Sequence, residues 1–190
     1  ICFRKRITLK ILYFWKRLFT MNRLKIVFAI LLAIVSFSAC EKDDICVEGD
    51  TPLLVVRFYD IENPTEFKAV PSLRIGGVGK EFTVSTFADR NALDSIAIPL
   101  NAGESISEFL FIMDSADDED GIETGNIDGL NFSYAIQEQF IGRACGFVAN
   151  YDNLNSAIIP DTENWIQDIE IAKALVKTED TLSAHVKIFH

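Results

Sequence analysis

The sequence predicts an all-β fold over residues 51–190, an antiparallel β-sandwich of the immunoglobulin-like kind. Short runs of apolar and β-branched residues alternate with clusters of turn-forming residues, which is typical of small all-β domains. Residues 130–141 also alternate between apolar and polar side chains, and Phe132, Tyr134 and Ile136 share the apolar face. A period of two residues is that of a strand with one buried face.

Eight or nine strands are expected. The first, residues 52–60 (PLLVVRFYD), is nearly continuous in apolar side chains and suits a strand in the core. Loops are expected at 88–94 and 114–129. The remaining strands are expected at 67–70, 73–78, 81–87, 95–100, 106–113, 130–141, 143–147 with 158–159, and, as a terminal hairpin, at 165–177 and 181–190.

The segment 165–177 also has helical spacings, and Asp161 or Thr162 could cap a helix there. Its β-branched residues and the strand that follows favour a strand. The Cys-Trp-Cys order of true immunoglobulin domains is absent, because Trp165 comes after Cys145.

Residues 21–39 contain the three regions of a secretory signal. Met21 opens a short cationic segment, an apolar run of ten residues follows at 26–35, and small residues lead to Cys40. A membrane-spanning helix needs roughly 20 apolar residues, so a cleaved signal is favoured over a retained helix. Residues 1–20 are interpreted as upstream sequence, with a longer cationic region as the alternative.

The end of this signal, Phe37-Ser38-Ala39-Cys40, resembles a bacterial lipobox. In such signals the cysteine thiol is lipidated, the chain is cut before it, and the new amino group is acylated. Three acyl chains would hold a domain firmly on a membrane. An ordinary secretory signal with an incidental cysteine is the alternative.

Residues 40–50 are predicted to form an acidic tether between the anchor and the domain. Within it, Lys42, Asp43 and Asp44 look like the export signal of Bacteroidota surface lipoproteins, a lysine followed by two acids. The interpretation is a lipid-anchored outer-membrane protein at the cell surface. A plain solvated tether on the periplasmic face is the alternative.

From Cys40 onward the chain has 28 acidic residues and ten basic ones, a net charge of −18. Such a surface repels phosphate backbones, so nucleic acid is not an expected partner. It favours solubility and could attract cations or basic partners. The 151 residues from Cys40 to the end are enough for one domain with a real core.

Two of the four cysteines, Cys46 and Cys145, fall inside the predicted domain and its tether. An even pair in an exported domain predicts a disulfide, because disulfides form and persist in such compartments. Two separate thiols or a metal pair are the alternatives. Metal is disfavoured, because the whole chain has only two histidines to complete a site.

The acidic loop of residues 114–123 is a candidate calcium site, because carboxylates at alternate positions before Gly121 suit a cation that takes six to eight oxygens. An EF-hand register fails, since it would put Ala116 and Ile127 at the first and last ligand positions. A solvated loop is therefore favoured over a weak calcium site, and no other cofactor is expected. The candidate ligands are Asp114, Asp117, Asp118, Asp120 and Glu123.

The sequence lacks a P-loop, a dinucleotide-binding glycine motif, a zinc-protease motif and a nucleophile elbow. The expectation is a non-catalytic binding or accessory module, anchored to the membrane, with an unknown protein or glycan partner. A periplasm-facing structural or assembly factor is the alternative. An enzyme with an unrecognised site is less favoured, and a pocket holding His185 beside carboxylates would indicate one.

Three features together resemble one family: a cysteine followed by residues 41–46, the segment 51–60 with Asn63-Pro64, and Ala144-Cys145-Gly146-Phe147. They look like a Bacteroidota, Flavobacteria-type family of small lipoproteins of unknown function. The resemblance covers most of the chain after Cys40. It implies a lipid anchor and a pairing of Cys46 with Cys145, but no activity.

Overall fold

The structure is a computed structural model that describes residues 23, 25–28, 46, 50–80, 83–177 and 183–190. The chain divides into two compact units, Ile1–Asp44 and Ile45–His190. All of the described strands belong to the second unit. Among the described residues, none forms a helix that is both long and apolar enough to cross a membrane.

Nine strands form two sheets in the described part of the chain. One sheet has the order β4-β1-β9-β8 and the other the order β3-β2-β5-β6-β7. The strands are β1 (Leu53–Tyr59), β2 (Val70–Gly77), β3 (Asn91–Leu93), β4 (Ser95–Pro99), β5 (Ile106–Met113), β6 (Asn126–Gly142), β7 (Gly146–Ile158), β8 (Asp168–Ile171) and β9 (Val186–Phe189). The predicted all-β sandwich is confirmed.

The facing sides of the two sheets form one core. Leu54, Val56 and Phe58 alternate along β1 and are fully buried. The ring of Phe58 meets Phe111 of β5, in the other sheet, edge to face at a centroid distance of 6.5 Å. Trp165, which follows β7, packs on Phe58 at 6.4 Å and donates its indole N–H to the carbonyl oxygen of Phe111 over 3.3 Å. Rings from three parts of the chain therefore join the sheets.

Strand β1 pairs antiparallel with β4 on one side and parallel with β9 on the other. The other strand pairs are antiparallel. The sandwich is thus antiparallel apart from this one pair. Parallel neighbours need a long crossover, and here the whole second sheet lies between β1 and β9 in sequence.

The strand order departs from the immunoglobulin arrangement. Constant-type immunoglobulin domains place strands A, B, E and D in one sheet and C, F and G in the other. Here β5, β6 and β7 form an uninterrupted meander, and the first and last strands are neighbours. The immunoglobulin-like expectation therefore fits the architecture of two packed sheets but not their connectivity.

Several local predictions were wrong. Residues 143–145, predicted within a strand, form a turn, and residues 126–129, predicted as loop, begin β6. Residues 83–87 are irregular apart from a bridge between Thr83 and Gly76, and residues 91–93, predicted as loop, form a strand that pairs with β2 at Val70 and Leu73. Strand β7 also continues through Asp152 and Asn153, which the sequence predicted as a break. Asn153 adopts a φ of 54° beside a register shift in the β6–β7 pairing, so a bulge absorbs the turn-forming pair.

Replacing Phe58 by Ala should lower the free energy of unfolding by about 3–5 kcal/mol, because it leaves a cavity where the two sheets meet. Urea unfolding of the purified protein measures this. Ile122→Ala is the matched control, since Ile122 is 62% exposed and its truncation should change stability by no more than about 0.5 kcal/mol. Equal effects of the two substitutions would contradict the proposed core.

Candidate functional site

An open cleft of about 670 Å³ lies where the ends of β2 and β4 meet the start of β5. Both sheets contribute to it, because β4 belongs to one sheet and β2 and β5 to the other. A volume of this size is typical of a ligand site. Its polar lining includes Lys80, Thr83, Ser85, Asn101, Glu104 and Glu108, and its apolar lining includes Val78, Val84, Leu100, Ile106 and Phe109.

A buried hydroxyl network fixes one wall of the cleft. The hydroxyl groups of Ser107 and Tyr134 are 2.6 Å apart. Ser107 Oγ also accepts a hydrogen bond from the Asn101 amide over 2.8 Å, and Tyr134 donates to the Asn101 carbonyl oxygen over 2.9 Å. The backbone amide and the backbone carbonyl oxygen of Asn101 are thus both hydrogen-bonded, which fixes the loop between β4 and β5.

A second tyrosine supports the same loop. Tyr151 of β7 donates its hydroxyl to the carbonyl oxygen of Leu100 over 3.2 Å, and its ring packs on Tyr134 at 4.9 Å. Burial raises the pKa of both tyrosine hydroxyls above the usual value of 10. Both groups stay protonated at neutral pH and can donate these bonds, so the wall is preorganised.

The cleft also lies beside two sheet edges. Strand β4 is the edge strand of its sheet. Strand β2 pairs with β3 only at Val70 and Leu73, and among the described residues the outer edge beyond them is met by a single bridge from Thr83 to Gly76. Sheet edges offer backbone donors and acceptors to an added chain. The site therefore combines an apolar floor with hydrogen-bonding edges.

The acidic loop is held by two arginines. Glu123 accepts hydrogen bonds from Arg74 Nη1 over 3.2 Å and from Ser115 Oγ over 2.7 Å, both on Oε2. Arg90 binds Asp117 and donates to Ser115 Oγ over 3.0 Å. These contacts hold the acidic loop against β2 and against the turn before β3. Sequence reasoning missed the two arginines, although each is one of only ten basic residues after Cys40.

The pKa of Glu123 is lowered to about 2. Burial on its own would raise this pKa, but hydrogen bonds from Ser115 and from the amides of Gly125 and Ala116, together with the charge of Arg74, outweigh it. The carboxylate is therefore ionised at neutral pH and engaged on both oxygens.

The other predicted calcium ligands have different surroundings in the structure. Asp118 Oδ1 accepts the amides of Asp120 and Ile122 over 2.9 and 2.8 Å, and so forms a local turn. Asp114 and Asp120 are exposed. Across the residues that the structure describes, no group of three or more acidic, histidine or cysteine side chains is arranged to hold a metal ion.

His185 is fully buried immediately before β9 and is not among the residues that line the cleft. Its Nδ1 accepts the amide of Val55 over 3.0 Å, and its own amide donates to the Val55 carbonyl oxygen over 2.9 Å. The side chain thus extends the parallel pairing of β9 with β1. His185 therefore stabilises the pairing of the two strands.

The predicted disulfide is present. Cys46 is bonded to Cys145, which follows it by 99 positions in sequence. Their Cα atoms are 4.9 Å apart, an ordinary distance for a bridged pair. Cys145 lies in the turn that joins β6 to β7. Cys40, Lys42, Asp43 and Asp44 lie outside the described residues, as does most of the predicted signal.

A model for a family of unknown function (DUF6452) matches residues 72–190. This range begins within β2 and contains all of the cleft lining, the acidic loop and Cys145. Comparison with curated proteins and with solved structures gives no match.

Replacing Glu123 by Gln should destabilise the protein at neutral pH by about 1–3 kcal/mol, because the charge-assisted bonds are lost. A folded pKa of about 2 lies below the ordinary value of 4.5. The stability from this carboxylate is therefore present above pH 4.5 and lost as the pH falls towards 2. Urea unfolding at pH 7, 4 and 3 should show the wild type and the variant converging on acidification.

Glu119→Gln is the matched control for this experiment, because Glu119 is an exposed carboxylate in the same loop. Its stability profile should follow that of the wild type. A difference between wild type and Glu123→Gln that stays constant from pH 7 to pH 3 would contradict the assigned role of the carboxylate.

Proposed function

We propose that this chain, which belongs to the DUF6452 family of unknown function, is a non-catalytic, lipid-anchored module at the surface of the outer membrane. It binds an extended segment of a protein partner in the cleft between the two sheets. The observation that carries the binding role is the cleft itself, with its fixed wall and its adjoining sheet edges.

The position of the disulfide supports the anchor. Cys40, at the end of the lipobox-like segment, precedes Cys46 by six residues, and Cys46 is bonded to the folded domain. Six residues span at most about 20 Å. A domain held this closely would stay at the membrane surface rather than range far from it.

A peptide suits the cleft better than a glycan does. Extended peptides add to exposed sheet edges through main-chain hydrogen bonds, and neighbouring pockets select their side chains. Glycan sites commonly use exposed aromatic rings, whereas the aromatic residue among the described lining, Phe109, is only 6% exposed. The polar hydroxyls and the apolar floor instead match the alternating side chains of a strand.

The charge of the rim favours a basic segment. Glu104 and Glu108 stand at the cleft with Lys80, and the chain from Cys40 onward has a net charge of −18. A partner with basic residues would be attracted over a distance and then selected at the rim.

The chain expressed from Met21 should acquire lipid, and proteases added to intact cells should remove its domain. Cys40→Ala should lose the lipid. A variant in which Lys42, Asp43 and Asp44 are replaced by Ala should keep the lipid but become protected, because it lacks the export signal. Radiolabelled fatty acid and immunoblotting measure both properties.

Wild-type protein without lipid would contradict the anchor. Wild-type protein that is lipidated, protected in intact cells and digested only after lysis would contradict surface exposure, and would favour the periplasm-facing structural or assembly role.

A photo-crosslinking amino acid in place of Val78, which is 45% exposed in the cleft, should capture one discrete protein in intact cells. Ser85→Arg should abolish this product, because the long side chain fills the cleft. The same crosslinker at Ile122, 62% exposed and outside the lining, is the matched control. Equal products from both positions would contradict the cleft, and a crosslinked glycan would contradict the protein partner.

A further inference from the structure

We propose that the tip of the β6–β7 hairpin, residues 140–147, is a second membrane contact. In this arrangement Phe140 and Phe147 insert at the boundary between the headgroups and the acyl chains of the bilayer that holds the lipid anchor. The inference rests on the anchor proposed at Cys40 and adds to it an orientation of the domain on the membrane.

The hairpin tip presents two large apolar rings to solvent. Phe140 and Phe147 are directly opposed across the strands, and their centroids are 5.2 Å apart. They remain 57% and 66% exposed. Paired aromatic rings in water at the end of a hairpin are typical of a surface that is covered by something else.

The composition of the tip suits a membrane interface. Residues 139–151 contain no acidic residue and one cation, Arg143, in a chain whose net charge after Cys40 is −18. Arg143 is exposed in the turn between the two rings. Phe side chains of membrane-surface segments bury at the boundary between headgroups and acyl chains, and a neighbouring cation favours anionic lipids.

The length of the tether brings this tip to the bilayer. The disulfide partner of Cys46 is Cys145, which lies in the tip itself. Cys46 is six positions after the acylated Cys40, so its Cα atom stands no more than about 20 Å from the anchoring point. The Cα atom of Cys145 is 4.9 Å from that of Cys46, which places the tip within about 25 Å of the anchor. Since the rings start this close to the lipid, little further ordering is needed for them to reach it.

The acidic loop of residues 114–123 lies at the other end of the hairpin. Strand β6 runs 17 residues from the acidic loop to the tip, which corresponds to about 50 Å of strand. When the tip faces the bilayer, the carboxylates of the loop point away from anionic lipids. The charge of this loop therefore favours the tip as the membrane-facing end, whereas the acidic tether beside Cys46 opposes it.

The disulfide at Cys145 stabilises the outer end of the β6–β7 hairpin. Strand β5 pairs with β6 only as far as Ser133, and residues 174–176 meet β7 as far as Tyr151, opposite Ile136. Among the described residues the hairpin continues beyond this point as two strands, joined by pairings from Gln137 to Gly142. Two-stranded ribbons are marginally stable alone. The link to Cys46 fixes the far end of this ribbon and so presents the rings on a defined support.

The test uses the lipidated protein, expressed from Met21 and reconstituted in vesicles of phosphatidylethanolamine and phosphatidylglycerol. Phe140→Trp places a fluorophore at the tip, and Ile122→Trp places one at the opposite end of β6. The protein without either substitution, called the parent, has one tryptophan after Met21, the buried Trp165. The emission of Trp165 supplies the background fluorescence. Lipids brominated on their acyl chains quench tryptophan that enters the bilayer.

We expect the emission of Phe140→Trp to shift to the blue and to be quenched by brominated lipid beyond the parent, whereas Ile122→Trp emission is not. Protein that floats with the vesicles while Phe140→Trp stays unquenched overturns the inference and leaves the anchor intact. A blue shift without quenching also overturns it, since protein then covers the ring. Protein that does not float contradicts the anchor and the inference together.

Discussion

The packing of Phe58 against Phe111 is the contact on which the rest of the structure depends, because it joins the two sheets at their centre. Trp165 extends this contact by packing on Phe58. The segment that contains Trp165 is fixed by the buried carboxylate of Asp128, which accepts a hydrogen bond from the Ile166 amide over 2.7 Å. Burial raises the pKa of Asp128, and that amide bond opposes the rise. With the sheets fixed there, the cleft and the hairpin occupy defined places at the periphery.

The disulfide is the second constraint, and it connects the fold to its proposed location. A bridge between residues 99 apart reduces the freedom of the unfolded chain by an amount worth up to about 4–5 kcal/mol in the chain-entropy view. Its position matters as much as its energy. It joins the segment nearest the proposed anchor to the turn between Phe140 and Phe147 rather than to the centre of a sheet.

Local patterns were enough to predict most of the strands. Strand β5 lies where the sequence placed it, and the alternation of Phe132, Tyr134 and Ile136 located the middle of β6. What could not be predicted depends on distant partners. Residues 91–93 become a strand only because β2 offers an edge, and β7 passes Asn153 only because a bulge opposite β6 accepts its left-handed conformation.

In the candidate site, too, the features that could not be predicted from sequence depend on residues that are distant in the chain. Cys46 and Cys145 could be paired from sequence because few cysteines compete. The cleft could not, since its lining comes from separate segments, and neither Ser107 nor Tyr134 stands in a recognisable motif. The carboxylates of the acidic loop were visible in the sequence, but their partners Arg74 and Arg90 are 49 and 33 residues away from Glu123 and are brought to it by the fold.

The lipid anchor and the hairpin tip should be parts of one covalent unit, and mass spectrometry can detect that unit directly. Protein isolated from membranes is digested with chymotrypsin without reduction and analysed by mass spectrometry. We expect a species that joins peptide 40–53, acylated at Cys40, to peptide 141–147 and separates into the two on reduction. Peptides that are separate before reduction, or a 40–53 peptide without lipid, would contradict it.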